Sequence, residues 1–128
     1  MVLLTENLLN DKTSTSNSIL TIGHFDTGAS STTIDKYIAS KLRLVPIGLS
    51  QIKTANGIVD TPNYILNLSF PNTGLKSFTK VQVGSCSLGY DPKEPLNPKN
   101  MGLLIGRDIM SRWNIVWNGP TSTVFISD

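Results

Sequence analysis

Apolar residues in this chain recur in short alternating runs. Tyr64-Ile65-Leu66-Asn67-Leu68-Ser69-Phe70 alternates and stops at Pro71-Asn72, and Phe78-Thr79-Lys80-Val81-Gln82-Val83 does the same before Gly84. Alternation puts every second side chain on one face, so both runs predict half-buried strands. Ile19-Leu20-Thr21-Ile22-Gly23-His24-Phe25 and Leu103-Leu104-Ile105 predict two more, and Asn114-Ile115-Val116-Trp117 and Thr123-Val124-Phe125-Ile126 predict a closing pair around Asn118-Gly119-Pro120. Gln51-Ile52-Lys53-Thr54 and Ile58-Val59-Asp60-Thr61 flank Ala55-Asn56-Gly57. Asn-Gly between extended runs predicts a hairpin with its tip near Asn56, because both residues tolerate positive φ.

The remaining segments are less regular. Residues 33–42 place Ile34, Tyr37, Ile38 and Leu42 at helical spacing, enough for about two turns of helix or for an irregular, turn-rich segment. Gly106-Arg107-Asp108-Ile109-Met110 opens a short helix after the strand that ends at Ile105. Pro92, Pro95 and Pro98 make residues 91–100 a loop of restricted conformation. The polar run 11–18 predicts an exposed loop after a short apolar piece, so residues 1–18 form an ill-defined N-terminal segment. Trp113 and Trp117 are expected in the core. Many short strands, one short C-terminal helix and no repeat predict a single all-β, barrel-like domain over residues 1–128.

Composition narrows the function classes. Eleven basic and nine acidic residues give a net charge of +2, without a basic stripe to neutralise phosphates, so nucleic acid is not an expected partner. Cys86 is the only cysteine and His24 the only histidine, which excludes an internal disulfide and a cysteine-based metal cluster; no metal or cofactor is expected. A lone thiol fits a reducing compartment, and the expected location is cytoplasmic. The N-terminal apolar run breaks too early for a signal peptide, and no stretch approaches the length of a membrane span.

The chemistry concentrates at Asp26-Thr27-Gly28, which follows the strand that ends at Phe25 and continues into Ala29-Ser30-Ser31. Some eighty residues later Leu103-Leu104-Ile105 runs into Gly106-Arg107-Asp108. In this combination the chain resembles the retropepsin-like aspartic proteases. Gly106-Arg107-Asp108 with the later Trp117-Asn118-Gly119 is most similar to the single-domain bacterial and phage members. The resemblance implies a closed β-barrel of the acid-protease fold, functional as a two-fold homodimer, and an aspartic endopeptidase acting on a peptide or protein bound between the subunits. The chemistry requires the same stoichiometry. Two carboxylates about 3 Å apart cannot both ionise: one takes a proton from water while the protonated one polarises the scissile carbonyl. The chain has one Asp-Thr-Gly, so the second aspartate comes from a second copy.

The resemblance also implies roles for the neighbours. Thr27 hydrogen-bonds across the axis, and Gly28 lets the substrate backbone approach. Thr54, Ala55, Asn56 and Gly57 form the flap over the peptide. His24, Thr33 and Leu104 line subsites, with His24 standing where relatives carry an apolar residue. Gly106 and Arg107 support the catalytic loop. The usual carboxylate partner of this arginine is replaced by Ser30, and Ser30, a backbone carbonyl, Asp35 and Asp108 are all open as substitutes. A module that keeps this fold to dimerise or bind peptides without cleaving them is the alternative reading.

Overall fold

The computed structural model describes residues 1–6 and 17–128; the loop expected over 11–18 falls outside them except for its last two residues. The alternating runs become strands because each has a buried face. Strands β1 (Val2–Glu6), β2 (Ser18–Thr21), β3 (Gly23–Phe25), β4 (Thr33–Asp35), β5 (Gly48–Thr54), β6 (Gly57–Ser69), β7 (Phe78–Cys86) and β8 (Leu103–Ile105) form one sheet. Its order is β2-β1-β6-β7-β4-β8-β3, with β5 paired to β6 off this path. The first and last strands of that order are consecutive parts of one extended run, interrupted at Ile22. The sheet must therefore curl until its ends meet through the chain. Among the described residues the ladder joins no β2 to β3, so a curled half-barrel stands where a closed barrel was expected.

Leu4, Leu66, Leu68, Val83, Leu103 and Ile105 supply the buried faces of four of these strands. The long strand β6 changes surroundings along its length. Its C-terminal half pairs with β1 and β7 over the core, while Gly57 to Asp60 pair only with β5 and are exposed. This outer part is a projecting hairpin. Thr54 pairs with Gly57, and the left-handed backbone falls on Gly57 (φ 119°) rather than on Asn56. A side chain at Gly57 would strain that conformation.

The open alternative over 33–42 resolves as strand then helix. Asp35, 5% exposed, caps α1 (Lys36–Lys41) by accepting from the Tyr37 amide at 2.8 Å. Its other oxygen accepts from the Leu88 amide at 2.7 Å. The chain thus has two short helices rather than one, the second being α2 (Arg107–Met110). Ile34, Ile38, Leu42 and Ile109 close the core from this side.

The two tryptophans part company. Trp113 is buried against Phe70 at 5.1 Å and Phe78 at 5.8 Å between ring centroids. Trp117 is 78% exposed, contrary to expectation. It lies on β9 (Asn114–Asn118), which with β10 (Thr123–Ser127) forms a separate two-stranded sheet. Alternation buries a residue only where a second layer covers the strand, and among the described residues none covers Trp117.

Candidate active site

The chain reverses directly after β3, and the first residue of the reversal is Asp26. Its amide donates to the Ile105 carbonyl at 3.0 Å, which continues the β3–β8 pairing by one residue. Its carbonyl accepts from the Ala29 amide at 3.1 Å, closing a tight turn. Within that turn the Gly28 amide donates to Asp26 Oδ1 at 2.8 Å. Among the described residues Oδ2 accepts no hydrogen bond. The carboxylate is half-buried, with Thr27 and Gly28 exposed beside it. A Cβ on Gly28 would stand 3.1 Å from Asp26 Oδ1 and press on the carboxylate.

The loop 26–32 is fixed from behind by residues 105–108. Arg107 donates through Nη1 to the Thr27 carbonyl at 2.7 Å and through its amide to the Ala29 carbonyl at 2.9 Å. Of the open partners for this arginine, the structure selects a backbone carbonyl; Ser30 is exposed and is not its partner. Gly106 passes so close to Ser31 that an added Cβ would lie 2.6 Å from its carbonyl carbon. No larger residue fits without moving the loop, as expected for a strand passing behind the site.

Thr32, which sequence reasoning missed, and Asp108, which it offered only as a partner for Arg107, complete this support. Thr32, with no exposed surface, donates its amide to Asp108 Oδ2 at 3.0 Å and its hydroxyl to Asp108 Oδ1 at 2.7 Å. The same hydroxyl accepts from the Gly106 amide at 3.1 Å. Asp108 Oδ1 also accepts from the Ile109 amide at 2.9 Å at the start of α2. A signal was available, since an aspartate in the first turn of a helix favours exposed N–H groups. Together with the contacts of Asp26 and Arg107, six hydrogen bonds join the two segments.

The expected subsite residues fall in two places. His24 and Leu104 are register partners on the parallel strands β3 and β8. The His24 ring turns to the 91–100 loop, with Nε2 2.9 Å from the Pro98 carbonyl, while its buried Nδ1 has no partner. Because a carbonyl only accepts, Nε2 carries the proton. Thr33 lines a cavity of about 400 Å³ between the loop and the hairpin, walled also by Ser31, Gln51, Ile52, Asn63 and Asp108. The hairpin's share of this wall stops at Ile52, short of residues 54–57. No group of three or more His, Cys, Asp or Glu placed to hold a metal occurs among the described residues.

No protein-family model and no curated protein matches the sequence. Among solved structures, the chain resembles a retropepsin-like aspartic protease from Rickettsia conorii, at 14% identity over 98% of this chain and 90% of that one, with a TM-score of 0.49. It also resembles the foamy viral protease-reverse transcriptase in complex with RNA/DNA hybrid, at 20% identity over 89% of this chain, with a TM-score of 0.45. This chain spans 12% of that longer one. Likeness at this level assigns no residue roles, and function has to be read from the chain's own groups.

Proposed function

We propose that this chain is an aspartic endopeptidase whose active species is a homodimer, with Asp26 supplied once by each subunit. The observation that carries the reading is the held carboxylate: Oδ1 is fixed by the Gly28 amide at 2.8 Å in a turn bolted to residues 105–108. A turn held in this way costs little reorganisation at the moment of reaction. Two such carboxylates facing each other across a two-fold axis share one proton and titrate as a pair. The ionised member takes a proton from water, the resulting hydroxide attacks the scissile carbonyl, and the protonated member donates to the carbonyl oxygen. Collapse of the tetrahedral intermediate passes a proton to the leaving nitrogen and returns the dyad to its singly protonated state.

The neighbours serve this reaction. Thr27, exposed beside Asp26, bonds to its mate across the axis, and its carbonyl is already anchored by Arg107. Gly28 admits the substrate backbone. The β5–β6 hairpin, with residues 54–57 at its tip, closes over the peptide and pins it by strand-like hydrogen bonds. His24 and Leu104 flank the scissile bond, and Thr33 contributes to a polar subsite with the wall of the cavity beside it.

The test is incubation of the purified chain with a denatured protein mixture from about pH 3 to about pH 7, with and without a statine-type inhibitor. Inhibitor-sensitive cleavage that is lost in Asp26→Asn supports the reading. Activity within about tenfold of the parent in that variant would assign the chemistry to another residue. No cleavage by the parent at any pH leaves the peptide-binding module.

A further inference from the structure

The wall of the cavity beside the catalytic loop is mostly polar, and part of it is left unpaired. Asn63 on β6 is buried, at 7% exposure, and donates through Nδ2 to Ser50 Oγ on β5 at 2.7 Å. No hydrogen bond among the described residues reaches its Oδ1. The Ser50 hydroxyl, occupied there as an acceptor, keeps its own proton to give. Thr33 Oγ1 is also without a partner among the described residues. Gly84 lies between them: a Cβ there would stand 3.7 Å from Thr33 Oγ1 and 3.9 Å from Asn63 Oδ1. All four residues line the same cavity of about 400 Å³. A buried acceptor needs a donor, so water serves Asn63 Oδ1 while the cavity is empty, and any group that displaces the water must replace its hydrogen bonds.

We propose that this cavity is a subsite for a carboxamide, taking a glutamine or asparagine side chain of the bound peptide, with Asn63, Ser50 and Thr33 setting the preference. That the peptide is then cut rests on the protease reading above. The match is between complementary pairs. A carboxamide has an N–H to give to Asn63 Oδ1 and a carbonyl to accept from the Ser50 hydroxyl. Turning the Asn63 amide over exchanges the two roles and still presents one donor beside one acceptor. An apolar side chain would displace the water and leave the Asn63 oxygen buried without a donor. Charged side chains fare no better. Asp108 is the only charged residue in this wall, and its oxygens already accept from the Thr32 amide and hydroxyl and from the Ile109 amide. It repels an anion, and a cation must compete with three donors already in place. Register also confines the polar character to one stretch. Ser50 pairs with Thr61, and Ile52 with Val59; directly opposed residues share a face, so this face of the hairpin turns from polar near its base to apolar toward its tip. An extended peptide beneath it meets the hydrogen-bonding groups at one position only.

The test has two readouts. The parent digests a denatured protein mixture and the cut sites are read by mass spectrometry, while immobilised Asp26→Asn retains peptides from a randomised library that are sequenced in the same way. Glutamine or asparagine should be enriched at one fixed position, at least about tenfold over leucine. Ser50→Ala should remove most of that enrichment, and Ser50→Thr, which keeps the hydroxyl, should retain it. Ser50 is exposed, so neither change disturbs the core. Should Ser50→Ala melt early, Gly84→Ala, whose added methyl meets only ordinary contacts and narrows the cavity floor, carries the same expectation. Absence of amide enrichment from both readouts overturns the proposal, as does an unchanged preference in folded Ser50→Ala or an equal loss in Ser50→Thr. Amide enrichment among retained peptides with no cleavage by the parent retires the protease reading and leaves the subsite standing. Cleavage without amide enrichment does the reverse.

Discussion

Removing the Asp108 carboxylate should loosen the catalytic loop without touching a catalytic group, and the structure sets the size of the effect. Asp108→Ala orphans two donors on Thr32, the amide at 3.0 Å and the hydroxyl at 2.7 Å, and Thr32 has no exposed surface. A buried donor left without a partner costs about 1–3 kcal/mol, so the pair sets a range of about 2–6 kcal/mol. Geometry decides where in that range the value falls. Asp108 and Ser31 both line the cavity of about 400 Å³ beside the loop, so water can reach the space left by the carboxylate and replace part of what is lost. The lower end follows, about 2–3 kcal/mol. Asp108→Asn keeps one acceptor oxygen and nearly the same volume, and should cost about 1 kcal/mol.

The measurement is urea unfolding of the parent, Asp108→Ala, Thr32→Val and the double variant at neutral pH. Once the carboxylate is gone, Thr32→Val removes a hydroxyl that has already lost one partner, so the double variant should be more stable than the sum of the singles by at least about 1 kcal/mol. Cleavage should fall mainly in kcat, since loop position governs the reacting geometry more than substrate affinity. A loss below about 0.5 kcal/mol for Asp108→Ala, with additive single variants, would refute the idea that Thr32 and Asp108 hold the loop as a unit.

Three further outcomes are expected. Gly57→Val should weaken the hairpin more than Asn56→Ala, by about 1 kcal/mol or more, because the positive φ sits on Gly57 (119°); equal effects in unfolding and turnover would place the strained position elsewhere. His24→Leu should change stability by less than about 1 kcal/mol, since it removes a hydrogen bond to Pro98 and an unpartnered buried Nδ1 together. In the parent, nitrogen NMR should show His24 protonated at Nε2 when neutral, and an Nδ1-protonated ring would contradict the geometry. Stability should also decline at alkaline pH. Burial, then the charge of Asp35, pushes the Cys86 thiol above its ordinary 9.0, and burial likewise raises the Tyr90 phenol above 10.0. Groups whose pKa is raised by folding contribute fully below the unfolded value, and that contribution drains away as pH climbs through 9.0 for Cys86. Cys86→Ser should flatten the first part of that decline, and an unchanged profile would show that the thiol is not responsible.

How much of this was legible in the sequence depends on whether an interaction leaves a mark on residue identity. Strands β6 and β7 were readable because a period of two is written in the side chains themselves. Gly106 was readable because the lack of a Cβ is a property of the residue, and 2.6 Å to the Ser31 carbonyl carbon shows why the site requires it. The partner of Arg107 was not readable. The guanidinium ends on the Thr27 carbonyl, and a main-chain carbonyl is the same group at every position, so residue identity left a backbone carbonyl open beside Ser30, Asp35 and Asp108 without choosing among them. The two aspartates were in fact committed elsewhere, Asp35 to the cap of α1 and Asp108 to Thr32 across 76 residues. Trp117 failed for a different reason. It ends the apolar run Ile115-Val116-Trp117, which reads as a buried strand, but burial depends on what lies over a strand, and among the described residues nothing covers this one.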